Sequence, residues 1–244
     1  MYYYQIFLSK LIIRMYKQIL IIIFVIYIYL CIGNTREDFD VNKTFTSTDE
    51  WGTQERALLD KITEYGLEVF NSLPDKPPPS NDSETAKDEI ETIKQLRRQM
   101  NDERQEEINN ELYLKNSLNY YDITDGERDK LLKLITTEID PIIMKLKEKY
   151  NRVRPYRLDT TIEPTIDPPG HPAYPSGHAT QMYFLSTLLS KKYPDKSDEY
   201  DEIAYKTAKN REYAGVHYES DTEYGKEVAT ILVEQYKHKF LDSD

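Results

Sequence analysis

The sequence predicts an all-α protein, and three observations carry that prediction. Apolar residues recur at helical spacing through most of the chain from position 51 to 240. No stretch shows the apolar–polar alternation of a half-buried strand. Glycines number only 8, and the 12 prolines cluster where the helical pattern stops. The 244 residues suffice for one domain with a full core. A formal net charge of -11 and a sequence pI near 5.0 exclude a general nucleic-acid binder, which needs basic surface. One cysteine, Cys31, leaves neither a disulfide framework nor a Cys-based zinc site within one chain. The 21 tyrosines are dispersed and read as core and interface packing.

In chain order, Lys10, Arg14 and Lys17 precede an uninterrupted apolar run from Ile19 to Ile32, followed by Gly33 and Asn34. Residues 1–33 therefore read as a secretory signal cleaved after Gly33, or as an uncleaved signal anchor. The run is short for a full span, which needs about 20 apolar residues. Either way the rest of the chain is expected beyond a membrane: secreted, periplasmic or lumenal, or tethered by a single N-terminal anchor. Residues 34–50 read as a loose linker, and 51–240 as a single helical domain. Asn42-Lys43-Thr44 and Asn81-Asp82-Ser83 fit glycosylation acceptors.

Ala57, Leu58, Ile62, Leu67 and Phe70 mark the first helical stretch. Pro74 and Pro77-Pro78-Pro79 then impose a stiff extended loop. Asn81 or Ser83 caps the next helix, whose apolar stripe is Ile90, Ile93, Leu96 and Met100; its charged faces read as solvated surface. A further helix starts after Thr124 and runs through Leu131, Leu134, Ile135, Ile139, Ile142 and Leu146, with a kink at Pro141. Pro168-Pro169-Gly170 sits in a long loop over 151–175, and ordered loops of that length are often functional. Helices resume at 178–193, 197–214 and 220–240.

Three segments carry candidate chemistry. Lys147 is followed after six residues by Arg154-Pro155; Pro175-Ser176-Gly177-His178 opens a helix; Arg211 precedes His217 by six and Asp221 by ten. A helix opening with Ser and Gly offers free N–H groups, a hydroxyl and a positive dipole end, which suit an anion. Lys147, Arg154 and Arg211 add three positive charges, enough for a phosphate dianion and its transition state. His217 and Asp221, four apart, share a helix face, so Asp221 can accept the Nδ1 proton and leave Nε2 as a lone-pair nucleophile. His178 then serves as the acid for the leaving alkoxide and later activates water. Taken singly, these features read as surface cations, a capped turn and a helix-face pair. Their order and spacing together are what point to catalysis.

That combination resembles the three-part motif of the superfamily containing type 2 phosphatidic acid phosphatases (PAP2), class A acid phosphatases and vanadium haloperoxidases. The motifs lie within 147–221, and Asn210 stands where the family usually has serine. The resemblance implies a helical bundle of the PAP2/vanadium chloroperoxidase type with the active site at the bundle centre. It implies phosphate held by Lys147, Arg154, Ser176, Gly177 and Arg211, and a phosphohistidine on His217. The function expected is a metal-independent acid phosphatase acting on small-molecule phosphate monoesters, with no cofactor. The alternative is a vanadium-dependent haloperoxidase with vanadate as cofactor and His217 as its ligand. His171, seven residues before His178, sustains that alternative; as a phosphatase residue it merely borders the pocket. A non-catalytic anion-binding helical protein would need the cations but not His217, His178 and Asp221. His238 is expected on an exposed C-terminal helix face.

Overall fold

The computed structural model describes residues 15–24 and 39–242. Residues 15–24 form a helix with exposed apolar side chains, in a unit (Met1–Asp38) separate from the body, Phe39–Asp244. Most of the signal or anchor segment lies outside the described residues. No described helix is long and apolar enough to cross a membrane.

The body is built of helices. The first apolar stretch divides into α1 (Thr53–Ala57) and α2 (Glu64–Ser72), because the Thr63 side chain accepts the Gly66 N–H and starts a new helix. The proline loop follows. Ser83, rather than Asn81, caps α3 (Glu84–Arg98); Ile90 and Ile93 are buried on its stripe as expected. Asn81 is buried, and its amide donates to the Asp40 and Lys43 carbonyls, so in the folded chain it does not present a glycosylation acceptor. After α4 (Asp102–Asn110) and the short α5 (Leu114–Ser117), α6 (Asp125–Leu134) begins at a capping box formed by Thr124 and Glu127. The expected irregularity at Pro141 takes the form of a wide turn over Ile135–Ile139, before α7 (Asp140–Tyr150). Pro141 has no N–H to offer the carbonyl of Thr137, which lies in that turn.

The 151–175 loop holds one short helix, α8 (Pro155–Leu158), with proline at its first position. Then come α9 (Gly177–Lys192), α10 (Ser197–Tyr213), α11 (Glu219–Tyr236) and α12 (His238–Leu241). The last long helix thus ends short of 240, and His238 is exposed.

Helix α9 is the centre of the body and packs mainly on α10 and α11. It is apolar around its circumference: Ala179, Met182, Phe184, Leu185, Leu188 and Leu189 are all buried, which suits a helix enclosed on every side. Each buried leucine contributes about 1.5–3 kcal/mol relative to exposure. The crossing with α11 is close because Gly225 has no side chain; a Cβ there would lie 3.1 Å from the Ser176 carbonyl oxygen. Many of the tyrosines pack in the core, though Tyr113 and Tyr205 are exposed: Tyr174 stacks on Tyr224 at 4.8 Å, with Tyr150 edge-on to both.

Residues 39–50 depart from the reading of 34–50 as a loose linker. Phe45 is fully buried, Thr44 forms an antiparallel bridge with Arg152, and Asp49 pairs with Arg157. These contacts hold the segment against the chain that carries Arg152 and Arg154.

Candidate active site

The site grows from the end of α7. Asn151 adopts a left-handed conformation (φ 47°), as asparagine tolerates, and turns the chain out of the helix. Arg152 and Arg154, two apart on the extended segment that follows, face the same side and are buried.

Arg154 organises the nucleophile. Its Nη1 donates to the Val216 carbonyl at 2.7 Å and reaches His217 Nε2 at 3.0 Å; Nε and Nη2 donate to the His171 carbonyl. On the far side of the imidazole, Nδ1 lies 2.9 Å from Asp221 Oδ2. A guanidinium only donates and a carboxylate only accepts, so both contacts require the same tautomer: hydrogen on Nδ1, lone pair on Nε2. Burial first, then the neighbouring Arg154, hold the His217 pKa well below the ordinary imidazole range. Asp221 is held low mainly by Arg152 and the His217 hydrogen bond, against its own burial. His171 Nδ1 lies between Arg154 Nη2 at 3.0 Å and the Pro172 carbonyl at 3.2 Å. His171 therefore does more than border the pocket: its backbone carbonyl accepts from Arg154, a candidate phosphate ligand.

Lys147 is fully buried, and its three donors all go to carbonyls, Pro172 at 2.9 Å, Ala173 at 3.1 Å and Pro175 at 2.5 Å. It shapes the turn leading into α9, and an incoming anion must take over one of those bonds to touch it. Its charge helps to lower His171, His178 and His217 alike. At the start of α9, the buried Ser176 caps the helix, its Oγ accepting the Ala179 N–H at 3.4 Å and its N–H donating to the Asp221 carbonyl. Gly177 and His178 supply the first N–H groups of α9, which no carbonyl within the helix can satisfy.

His178 and Arg211 form a second group. His178 Nε2 lies 3.0 Å from the Glu111 carbonyl, so it carries the proton, and burial followed by Arg211 lowers the ring's pKa to about 3. Arg211 Nη2 pairs with the Glu111 carboxylate at 3.0 Å, while Nε and Nη1 are buried without a hydrogen-bond partner among the described residues. Asn210 donates to both Glu111 oxygens at 3.0 Å and accepts from Arg104. The residue at the family's serine position therefore does make a hydrogen bond behind Arg211. Arg154, His171, Ser176, His217 and Asp221 are joined by direct contacts, and Lys147 meets them through the backbone carbonyls of 172, 173 and 175. Arg211 and His178 approach them through the start of α9 and do not touch His217.

Sequence reasoning missed three residues here. Arg152 clamps Asp221 Oδ1 at 2.6 Å, Glu89 at 3.0 Å and Ser220 Oγ at 2.8 Å, beneath the Tyr218 ring. Glu89, assigned by its charged neighbours to solvated surface, is buried and also accepts the Ser220 N–H at 2.6 Å. A signal existed: Glu89 stands three after buried Ala86 and four before Ile93, on the apolar stripe itself. Glu111 offered no local signal, since its partner Arg211 is a hundred residues away.

No family model matches the chain. A curated relative, a non-specific acid phosphatase from Providencia stuartii, is 28% identical over 123 residues, covering 46% of this chain and 49% of that protein. The match thus spans about half of the relative's length. Among solved structures, a bacterial vanadium-dependent iodoperoxidase aligns with a TM-score of 0.55 and 16% identity, over 84% of this chain and 64% of its own. A transmembrane PAP2-type phosphatidylglycerolphosphate phosphatase from Bacillus subtilis aligns at 0.46 and 18%, over 79% and 98%. The chain thus has a helical fold of the vanadium-haloperoxidase type and, over about half its length, is similar in sequence to a non-specific acid phosphatase.

Proposed function

We propose that the protein is a phosphomonoesterase that transfers the phosphoryl group of a small ester to His217 Nε2 and then to water. The observation that carries this reading is the fixed tautomer of His217, with Asp221 behind Nδ1 and Arg154 at Nε2. Burial keeps the imidazole unprotonated, so its lone pair needs no deprotonation, only release from Arg154 Nη1 as a phosphoryl oxygen takes over that donor. In this reading Arg154, the Ser176 hydroxyl, the first N–H groups of α9 and the unpartnered Nε and Nη1 of Arg211 bind the phosphoryl oxygens. Lys147 contributes charge close by. The fixed cations supply the electrostatic stabilisation that a metal gives elsewhere.

His178 protonates the departing alkoxide. Unliganded, it is neutral, since its pKa is about 3. The proton must arrive with the substrate as a phosphate monoanion, or the bound dianion must raise the ring's pKa. Either route favours turnover at acidic pH. The test is hydrolysis of an aryl phosphate by the purified chain in excess chelator, with inorganic vanadate as inhibitor. Sustained turnover and inhibition in the micromolar range support the reading, and a strict requirement for added divalent metal overturns it.

His171 favours a second reading. Vanadate has the tetrahedral shape of phosphate, and Arg154, Arg211, Ser176 and His217 would hold it with the same donors. Bound vanadate would supply peroxide activation for halide oxidation, and His171, half-buried, is the second imidazole that contacts Arg154. Bromination of a dye with vanadate, peroxide and bromide, without ester hydrolysis, would select this reading.

A further inference from the structure

Helix α3 was expected to be solvated outside its apolar stripe, yet its C-terminal turn lines a cavity of about 390 Å³ together with the segment Thr161–Glu163. Lys94, Arg97 and Arg98 come from one turn of the helix, and Thr161, Ile162 and Glu163 complete the wall. Lys94 is already neutralised: it pairs with Asp159 at 2.6 Å and Glu91 at 3.0 Å. Asp159 Oδ1 accepts from the N–H and hydroxyl of Thr161, while Oδ2 faces Lys94.

The two arginines are different. Among the described residues Arg97 Nη1 is buried with no hydrogen-bond partner, and neither Arg97 nor Arg98 makes an ion pair. Glu163 acts on Arg97 through space only. Such an orphan is unexpected in a chain with 43 acidic and 32 basic residues, where carboxylates are in excess. A buried guanidinium nitrogen without an acceptor is costly unless an acceptor arrives. Two neighbouring guanidiniums present planar donor forks suited to an oxyanion.

We infer that this cavity is a second oxyanion site, separate from the one at His217, that takes a phosphate or carboxylate group on Arg97 and Arg98. It lies behind the nucleophile loop: the Arg97 side chain packs beside Gly215 (φ 75°), whose backbone accepts no Cβ without meeting Ile162, and the next residue, Val216, holds Arg154. Nothing in this inference depends on what His217 does.

The test is equilibrium dialysis of the full chain against labelled inorganic phosphate in a buffer free of competing oxyanions. The wild type should bind one phosphate more per chain than the double variant R97Q/R98Q, whatever the active site itself binds. Equal stoichiometry in the two overturns the inference. Should the double variant not fold, Glu163→Gln decides: removing the competing carboxylate should tighten this added binding severalfold, and unchanged binding overturns the proposal.

Discussion

At the scale of single residues, the account turns on how His217 is held. In the proposed reaction Asp221 does not touch the phosphoryl group; it fixes the tautomer that leaves the lone pair on Nε2. Asp221→Asn should therefore lower kcat by about 10²–10⁴ with KM changed only modestly, which steady-state kinetics on an aryl phosphate will show. His178 has the opposite signature. His178→Asn should cost most with alkyl phosphates, whose leaving oxygen needs a proton, and least with aryl phosphates, so a leaving-group series separates the two roles. Arg152 is the residue whose loss reaches furthest, since Asp221 and Glu89 would both be left as buried carboxylates without their cation. Arg152→Ala should destabilise the fold by about 3–5 kcal/mol in chemical denaturation.

At the scale of elements, the caps were legible because they are local. Thr124 with Glu127 and Ser83 with Ala86 are three residues apart, and the sequence places each just before a helical stripe. Pro141 was legible as an interruption, but not as a wide turn, because that form depends on which carbonyls can find partners. The α9–α11 crossing was not legible at all, since nothing near Gly225 in sequence announces Ser176. It makes a sharp prediction nonetheless. Gly225→Ala should push the α9 N-terminus away, costing about 1–3 kcal/mol in stability and reducing turnover, because the Ser176 carbonyl is backbone and cannot yield easily. Gly126→Ala, also in a helix but with open space around its Cβ position, should stabilise by up to about 1 kcal/mol and leave kinetics untouched. Thermal melts of the pair provide the comparison.

At the scale of the whole molecule, the helical class and the three-segment constellation could be read from spacing, but the residues that steady the constellation could not. Glu89 reaches Arg152 and Ser220, and Glu111 reaches Asn210 and Arg211, across separations that only the folded chain closes. The same burial sets the pH dependence of stability. His171, His178 and His217 have pKa values lowered on folding, so below about pH 6.5 the unfolded chain takes up protons that the native chain refuses. Stability must then fall as pH falls, by about 1.4 kcal/mol per pH unit per histidine. Asp140, raised to about 6, and Glu212, raised to about 7, work in the opposite sense between the ordinary carboxylate range and neutrality. Glu89 is raised as well, so three carboxylates offset three histidines, and the decline should be shallow from pH 6 to 4.5 and steeper below. Phosphate bound as proposed would raise the site histidines towards their ordinary values, so its stabilisation in thermal melts should be larger at pH 5 than at pH 7.

The central claim is that His217 Nε2 becomes phosphorylated, and acid-labile phosphate on that ring tests it most directly. Rapid denaturing quench of the enzyme during turnover of a labelled phosphate ester, followed by peptide mapping under alkaline conditions, should recover label on the peptide containing His217. His217→Ala should abolish that label, while His178→Asn retains the capacity to form it with an aryl phosphate. Steady hydrolysis with no label on His217, or label undiminished in His217→Ala, would contradict the account.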